Sequence, residues 1–160
     1  MSVSVILPTL NAAGEIAALL AALMDQTQPP EEILVVDSGS TDVTAELARA
    51  HGARVISVPC GQFDHGGTRD AALRQTAGEF VLFLTQDALP ADERYIEHLL
   101  KPFADERVAA ASGRQLPRPD ARPYVRAVQQ YRYPAQSQVW GAEDRQALGI
   151  RAYHLSDVCS

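Results

Sequence analysis

The sequence predicts an α/β domain built on a largely parallel sheet. Three observations carry that expectation. Short apolar runs alternate with amphipathic stretches at helical spacing over the first hundred residues. That alternation is the signature of βα units rather than of hairpins. Two of the runs, 33–36 and 80–84, lead directly into segments that end in carboxylates, Asp37 and Asp87. Ligands of an open parallel sheet bind in the crevice at the carboxyl ends of its strands, so both acids are directed to one edge.

Taken in order, Val3-Ser4-Val5-Ile6-Leu7 is a strand ended by Pro8-Thr9. Asn11 is a candidate cap for the next helix, in which Ile16, Leu19, Leu20 and Leu23 recur at helical spacing up to about Gln26. Pro29-Pro30 forces a connection to a second strand over 33–37. Ser40 or Thr41 caps a second helix, Asp42 favours its first turn, Val43 and Leu47 face inward, and Gly52 stops it. Residues 54–58 form a third strand. Phe63 to Arg69 open a third helix that Gly78 ends, and 80–84 form a fourth strand. Pro90 begins a helix with Ile96, Leu99, Leu100 and Phe103 inward. Residues 108–112 are a candidate fifth strand, a short helix is expected near 123–131, and 152–160 read as a last strand.

Bulk properties exclude several classes. A chain of 160 residues with 46% hydrophobic and 21% charged residues suits one ordinary globular domain. No apolar run approaches the ~18 residues of a spanning helix, and the N-terminus lacks the basic start of a signal peptide. Cys60 and Cys159 have no metal-ligand spacing and read as reduced thiols, which sets the expected location as cytoplasmic. A net charge of −6 argues against nucleic acid as a partner. The charge is uneven, with a balance of −9 over 1–113 and +4 over 114–132, where Arg114, Arg118, Arg122, Arg126 and Arg132 face Asp120 alone. That segment suits phosphates or an anionic membrane surface, or is a solvated face.

The first strand–helix turn, Pro8 to Gly14, lacks G-x-G-x-x-G and G-x-x-x-x-G-K-[ST]. This counts against a dinucleotide dehydrogenase and excludes a phosphate-loop ATPase. Asp37, followed by Ser38-Gly39-Ser40-Thr41-Asp42, either accepts from a base or ribose or caps its own turn. Asp87 is either a hard-oxygen ligand for Mg²⁺ or Mn²⁺ bridging a diphosphate, or a cap before Pro90. Asp64-His65-Gly66-Gly67-Thr68-Arg69 sets two glycines and a guanidinium at a helix start, an arrangement suited to an anion.

In combination these segments resemble the inverting family 2 glycosyltransferases with the GT-A fold. The resemblance rests on Val5 to Asn11, Val35 to Asp42, Arg69-Asp70 before Ala77-Gly78-Glu79-Phe80, and Phe83 to Ala88. Phe63 to Arg69, Thr85-Gln86-Asp87-Ala88, Gly113 to Arg118 and Ser156-Asp157-Val158-Cys159-Ser160 look like the bacterial rhamnosyltransferase branch. The resemblance implies a Rossmann-like nucleotide-sugar-binding domain with helices on both faces of its sheet. The implied donor is dTDP-L-rhamnose and the implied acceptor a saccharide or lipid-linked saccharide, met at the inner membrane face. Pro8, Thr9, Leu10, Asn11, Asp37 and Ser38 are implied to line the base and ribose pocket. Gly67, Arg69 and Gln86 would lie against the donor nucleotide, and Asp87 would bind the metal. Thr85 replaces the first acid of the family's D-x-D motif. Asp157 falls at an acceptor-side, catalytic position. The expectation is one GT-A domain over 1–160, holding the donor-binding part and ending before the segment that carries the base. A non-catalytic nucleotide or nucleotide-sugar binding module is the alternative.

Overall fold

The computed structural model describes residues 1–133, 135–141 and 144. It divides into two compact units, Met1–His98 and the residues from Leu99 onward. The first unit is a four-stranded sheet with β1 at Val3–Thr9, β2 at Glu32–Asp37, β3 at Arg54–Ser57 and β4 at Phe80–Phe83. All neighbours are parallel and the spatial order is β3-β2-β1-β4. Helices α1 (Ile16–Met24), α2 (Thr44–Ala50) and α3 (His65–Leu73) connect the strands, and α4 (Tyr95–Leu100) follows β4.

The apolar runs pack as a sheet covered on both faces should. Ile6, Leu34, Val36 and Ala72 of α3 form one buried cluster, against which Ile56, Val58, Val81 and Phe83 pack. The alternate strand residues Val5, Leu7 and Val35 are fully buried on the opposite face. The inward side of α1, made by Ile16, Leu19, Leu20 and Leu23, is buried as its spacing predicts. Gln26, just past α1, accepts from the Ile96 N–H at 3.1 Å and donates to the Asp92 carbonyl at 2.8 Å, fixing the start of α4.

Several expectations are corrected. Asn11 does not cap α1, which starts at Ile16 without a side-chain cap. The second helix starts later than expected, at Thr44, so its phase shifts. Val43 is 56% exposed, while Thr44 and Ala48 point inward. The third helix ends at Leu73, before Gly78. Gly78 is required for another reason: a Cβ there would lie 2.6 Å from the Ser4 backbone nitrogen. Pro90 precedes a turn, and the helix begins only at Tyr95. Residues 108–112 form no strand. Their run of alanines offers little side-chain area to bury.

The second unit contains a 3-10 turn at Lys101–Ala104 and the expected short helix, α5, at Pro123–Arg132. Tyr124 and Tyr131 on α5 are exposed, and Arg126 is tied back to the carbonyls of Ala121 and Pro119. The expected strand over 152–160 lies outside the described residues. Among the described residues no helix is long and apolar enough to cross a membrane.

Candidate functional site

The strand order places the topological switch between β1 and β4, since β1, β2 and β3 run outward one way and β4 lies on the other side. Thr9 and Asp37 are the last residues of β1 and β2, and they are register partners. Asp87 lies four residues past the end of β4. The parallel strands β2 and β4 flank β1, so the segments that carry the two acids leave the sheet at the same edge.

The two loops that leave β1 and β2 are sewn together by hydroxyl relays. The Asn11 N–H donates to Ser40 Oγ at 2.9 Å, and Ser40 Oγ donates to Asp37 Oδ1 at 2.5 Å. The Ala12 N–H donates to Thr44 Oγ1 at 2.7 Å, and Thr44 Oγ1 donates to Asp42 Oδ1 at 2.5 Å. Each relay starts at a loop amide and ends at a carboxylate. Asp42 Oδ2 also accepts from the Ala13 N–H at 3.1 Å. The Thr44 hydroxyl, helped by the amides of Thr44 and Ala13, holds the Asp42 carboxyl below its ordinary value against the opposing effect of desolvation. Asn11 adopts the left-handed region at φ 50°, which Asn tolerates. Its Oδ1 accepts from the Thr41 N–H at 2.9 Å and from Thr41 Oγ1 at 3.3 Å.

Asp37 is 5% exposed and its Oδ2 accepts the Ser40 N–H at 3.1 Å, so both carboxylate oxygens engage its own turn. Ser38 is buried, and its N–H donates to the Thr9 carbonyl at 2.9 Å. Pro8 is half-buried within β1. The buried Thr9 hydroxyl has no hydrogen-bond partner among the described residues.

On the other side of β1, Gln86 binds Leu10 with both polar atoms. Its Oε1 accepts the Leu10 N–H at 2.8 Å and its Nε2 donates to the Leu10 carbonyl at 3.3 Å. Thr85 Oγ1 donates to Asp87 Oδ1 at 2.7 Å, which orients an exposed carboxylate. Among the described residues no three acidic, histidine or cysteine side chains cluster as a metal cage. One oriented carboxylate nevertheless fits a Mg²⁺ or Mn²⁺ whose other ligands are phosphate oxygens and water.

At the start of α3, Asp64 caps the helix by accepting from the Gly67 N–H. A Cβ on Gly67 would lie 2.8 Å from Asp64 Oδ2, so the glycine allows this cap to close. Arg69 donates to the His65 carbonyl at 3.0 Å, and the His65 ring meets Phe63 edge-on with centroids 5.0 Å apart. Asp157 lies outside the described residues. Sequence reasoning missed Thr44 and the relay role of Ser40. The signal was present as three short polar side chains at positions 40, 42 and 44, which one strand-to-helix turn brings together.

A model of glycosyl transferase family 2 matches residues 4–160. The O-antigen chain rhamnosyltransferase RfbN of Salmonella typhimurium is 36% identical over 159 residues, 98% of this chain and 51% of that protein. WbaN of Salmonella anatum, also an O-antigen chain rhamnosyltransferase, is 35% identical over 98% of this chain and 50% of its own length. The chain thus spans about half the length of these curated relatives. Among solved structures, the Pyrobaculum calidifontis mannosyltransferase PcManGT in complex with GDP-Man and Mn²⁺ is similar at 31% identity and a TM-score of 0.59, over 66% of this chain and 33% of that one. Glucosyl-3-phosphoglycerate synthase of Mycobacterium tuberculosis in complex with UDP is similar at 30% identity and a TM-score of 0.55, over 65% of this chain and 40% of that one. The parallel sheet has the α/β architecture of these GT-A enzymes. The chain belongs to glycosyl transferase family 2.

Proposed function

We propose that this chain carries the donor half of an inverting glycosyltransferase. It takes a sugar, L-rhamnose from dTDP-L-rhamnose, toward a saccharide or lipid-linked acceptor at the cytoplasmic face of the membrane. The observation that carries this reading is the delivery of Asp37 and Asp87 to one sheet edge on either side of β1. That arrangement suits a nucleoside at one end and its diphosphate at the other. The two rhamnosyltransferase relatives and the Mn²⁺ complex with GDP-Man support donor class and metal.

In this reading Pro8, Thr9, Leu10, Asn11 and Ser38 line the nucleoside pocket, and Asp37 fixes its floor through Ser40. The unpartnered Thr9 hydroxyl supplies a donor and acceptor at that floor. Gly67 and Arg69 border the nucleotide from α3. Asp87, held by Thr85, offers its remaining oxygen to a divalent cation. Such a cation, when bound, neutralises charge gathering on the leaving diphosphate. Arg69 adds a fixed positive charge near the same group. The resemblance gives Asp157 the acceptor side. The acceptor hydroxyl oxygen would bond to the sugar C1 as the C1–O bond to the diphosphate breaks on the opposite face, inverting the anomeric centre, with the hydroxyl proton passing to a general base.

Calorimetry with dTDP, UDP and GDP, each with and without Mn²⁺, tests the reading. The expected result is binding of dTDP, strengthened by Mn²⁺ in the parent and not in Asp87→Ala. Absence of binding by all three nucleotides, or an equal Mn²⁺ effect in the variant, would overturn it.

A further inference from the structure

β1 and β4 are paired as far as Ile6 and Phe83, and the Leu84 N–H still reaches the Ile6 carbonyl at 3.1 Å. Beyond that point β1 runs on to Thr9 paired with β2 alone, while β4 has ended at Phe83 and leads toward α4, and this is where the crevice of a switch point opens. Gln86 spans the opening. A primary amide presents the same donor and acceptor as a peptide group. Its two bonds to Leu10, at 2.8 and 3.3 Å, therefore extend the pairing of the two strands past their last backbone bond. The residues beside this bridge are the ones that matter to a ligand. Asn11, next to Leu10, grips Thr41, and Asp87, next to Gln86, is gripped by Thr85.

We infer that Gln86 is a positioning residue that locks the nucleoside end of the site to the Asp87 end and makes binding at the two ends cooperative. The inference rests on the nucleoside-diphosphate reading of the site. A ligand that touches both ends gains most when their separation is already fixed, since otherwise ligand binding must itself order the loop. Each polar atom of the Gln86 amide makes one bond to Leu10, so the side chain holds that loop whether or not its remaining N–H and lone pair meet a ligand.

Two measurements on Gln86→Ala test this. Amide hydrogen exchange reads the lock without any ligand: protection at the Leu10 N–H should fall by about tenfold or more, while the Leu34 and Val35 amides in the sheet keep theirs. Calorimetry reads the coupling: affinity for dTDP with Mn²⁺ should fall about tenfold, as expected for two lost hydrogen bonds, while affinity for thymidine changes less than about threefold. Unchanged Leu10 protection overturns the lock. Equal losses for thymidine and for dTDP with Mn²⁺ make Gln86 a direct nucleoside contact and overturn the coupling. A parent protein that binds no nucleoside diphosphate overturns the ligand reading and the coupling with it, while the exchange experiment still decides the lock.

Discussion

The substitution that probes the site's construction most directly is Thr44→Val. Thr44 is fully buried, and valine keeps its shape while replacing the hydroxyl with a methyl. The hydroxyl accepts from the Ala12 N–H at 2.7 Å in a buried position and donates to Asp42 at 2.5 Å. Losing the first bond leaves a buried amide unsatisfied, which costs about 1–3 kcal/mol. Losing the second bond, to an exposed carboxylate, adds a smaller loss. The added methyl returns about 0.8 kcal/mol of burial. The net is a loss of about 1–3 kcal/mol, which lowers the melting temperature of a unit this size by roughly 5 °C or more. Thermal and urea denaturation followed by circular dichroism measure it, with Thr44→Ser as the control that keeps the hydroxyl. A Thr44→Val protein as stable as Thr44→Ser would refute the relay. The pH dependence gives a second reading. Asp42 is held below its ordinary value chiefly by the Thr44 hydroxyl. A depressed carboxylate stabilises the fold above its unfolded pKa, and that stabilisation disappears as pH falls through the folded value. The parent should therefore lose stability in acid below about pH 4, and Thr44→Val should lose less of it there.

Three further outcomes follow from the same geometry. Gly78→Ala should destabilise the first unit by about 1–3 kcal/mol, because the new methyl meets the Ser4 backbone at 2.6 Å; an unchanged urea midpoint would contradict this. Thr85→Asp should restore a second carboxylate beside Asp87 and raise Mn²⁺ affinity in the presence of dTDP by about tenfold, read by electron paramagnetic resonance of free Mn²⁺. A lower affinity would show that the Thr85 hydroxyl serves Asp87 better than a second acid can. Ser40→Ala breaks the relay from Asn11 to Asp37 and should weaken thymidine binding about fivefold by calorimetry, with the Mn²⁺-dependent gain for dTDP intact.

The parallel sheet was legible because its strands announce themselves. Ile33 to Val36 and Phe80 to Phe83 are short apolar runs bounded by polar turns, and a strand covered on both faces has no other way to be written. What was not legible is the phase of the second helix. Reading Ser40 or Thr41 as the cap put Val43 and Leu47 inside. The hydroxyl relay instead draws Thr44 inside, where it is fully buried, and leaves Val43 in solvent. A hydrogen-bond network between two loops 30 residues apart in sequence overrides an apolar pattern one turn long, and periodicity carries no trace of it. Gly78 shows the same blindness in reverse. A glycine before a strand reads as a helix stop, although its necessity comes from Ser4, far away in the chain.

Asp37 illustrates why the two readings of a strand-end carboxylate are not rivals. Taken from the sequence, it is either a nucleoside contact or a cap for its own turn. The structure shows the cap, with Ser40 donating to both oxygens. A carboxylate has about four lone-pair sites, so these bonds leave acceptor capacity for a ligand. They also fix where that capacity points. An acid that must meet a ribose at one defined position cannot sit on a turn free to choose its conformation, because each binding event would then have to order it. Thr85 does for Asp87 what Ser40 does for Asp37, at 2.7 Å and on the opposite side of β1. In the proposed reading the cap is therefore the device that fixes the direction in which a strand-end acid meets its ligand. Replacing the capping partner, and not only the acid, is the experiment that distinguishes a binding carboxylate from a merely structural one.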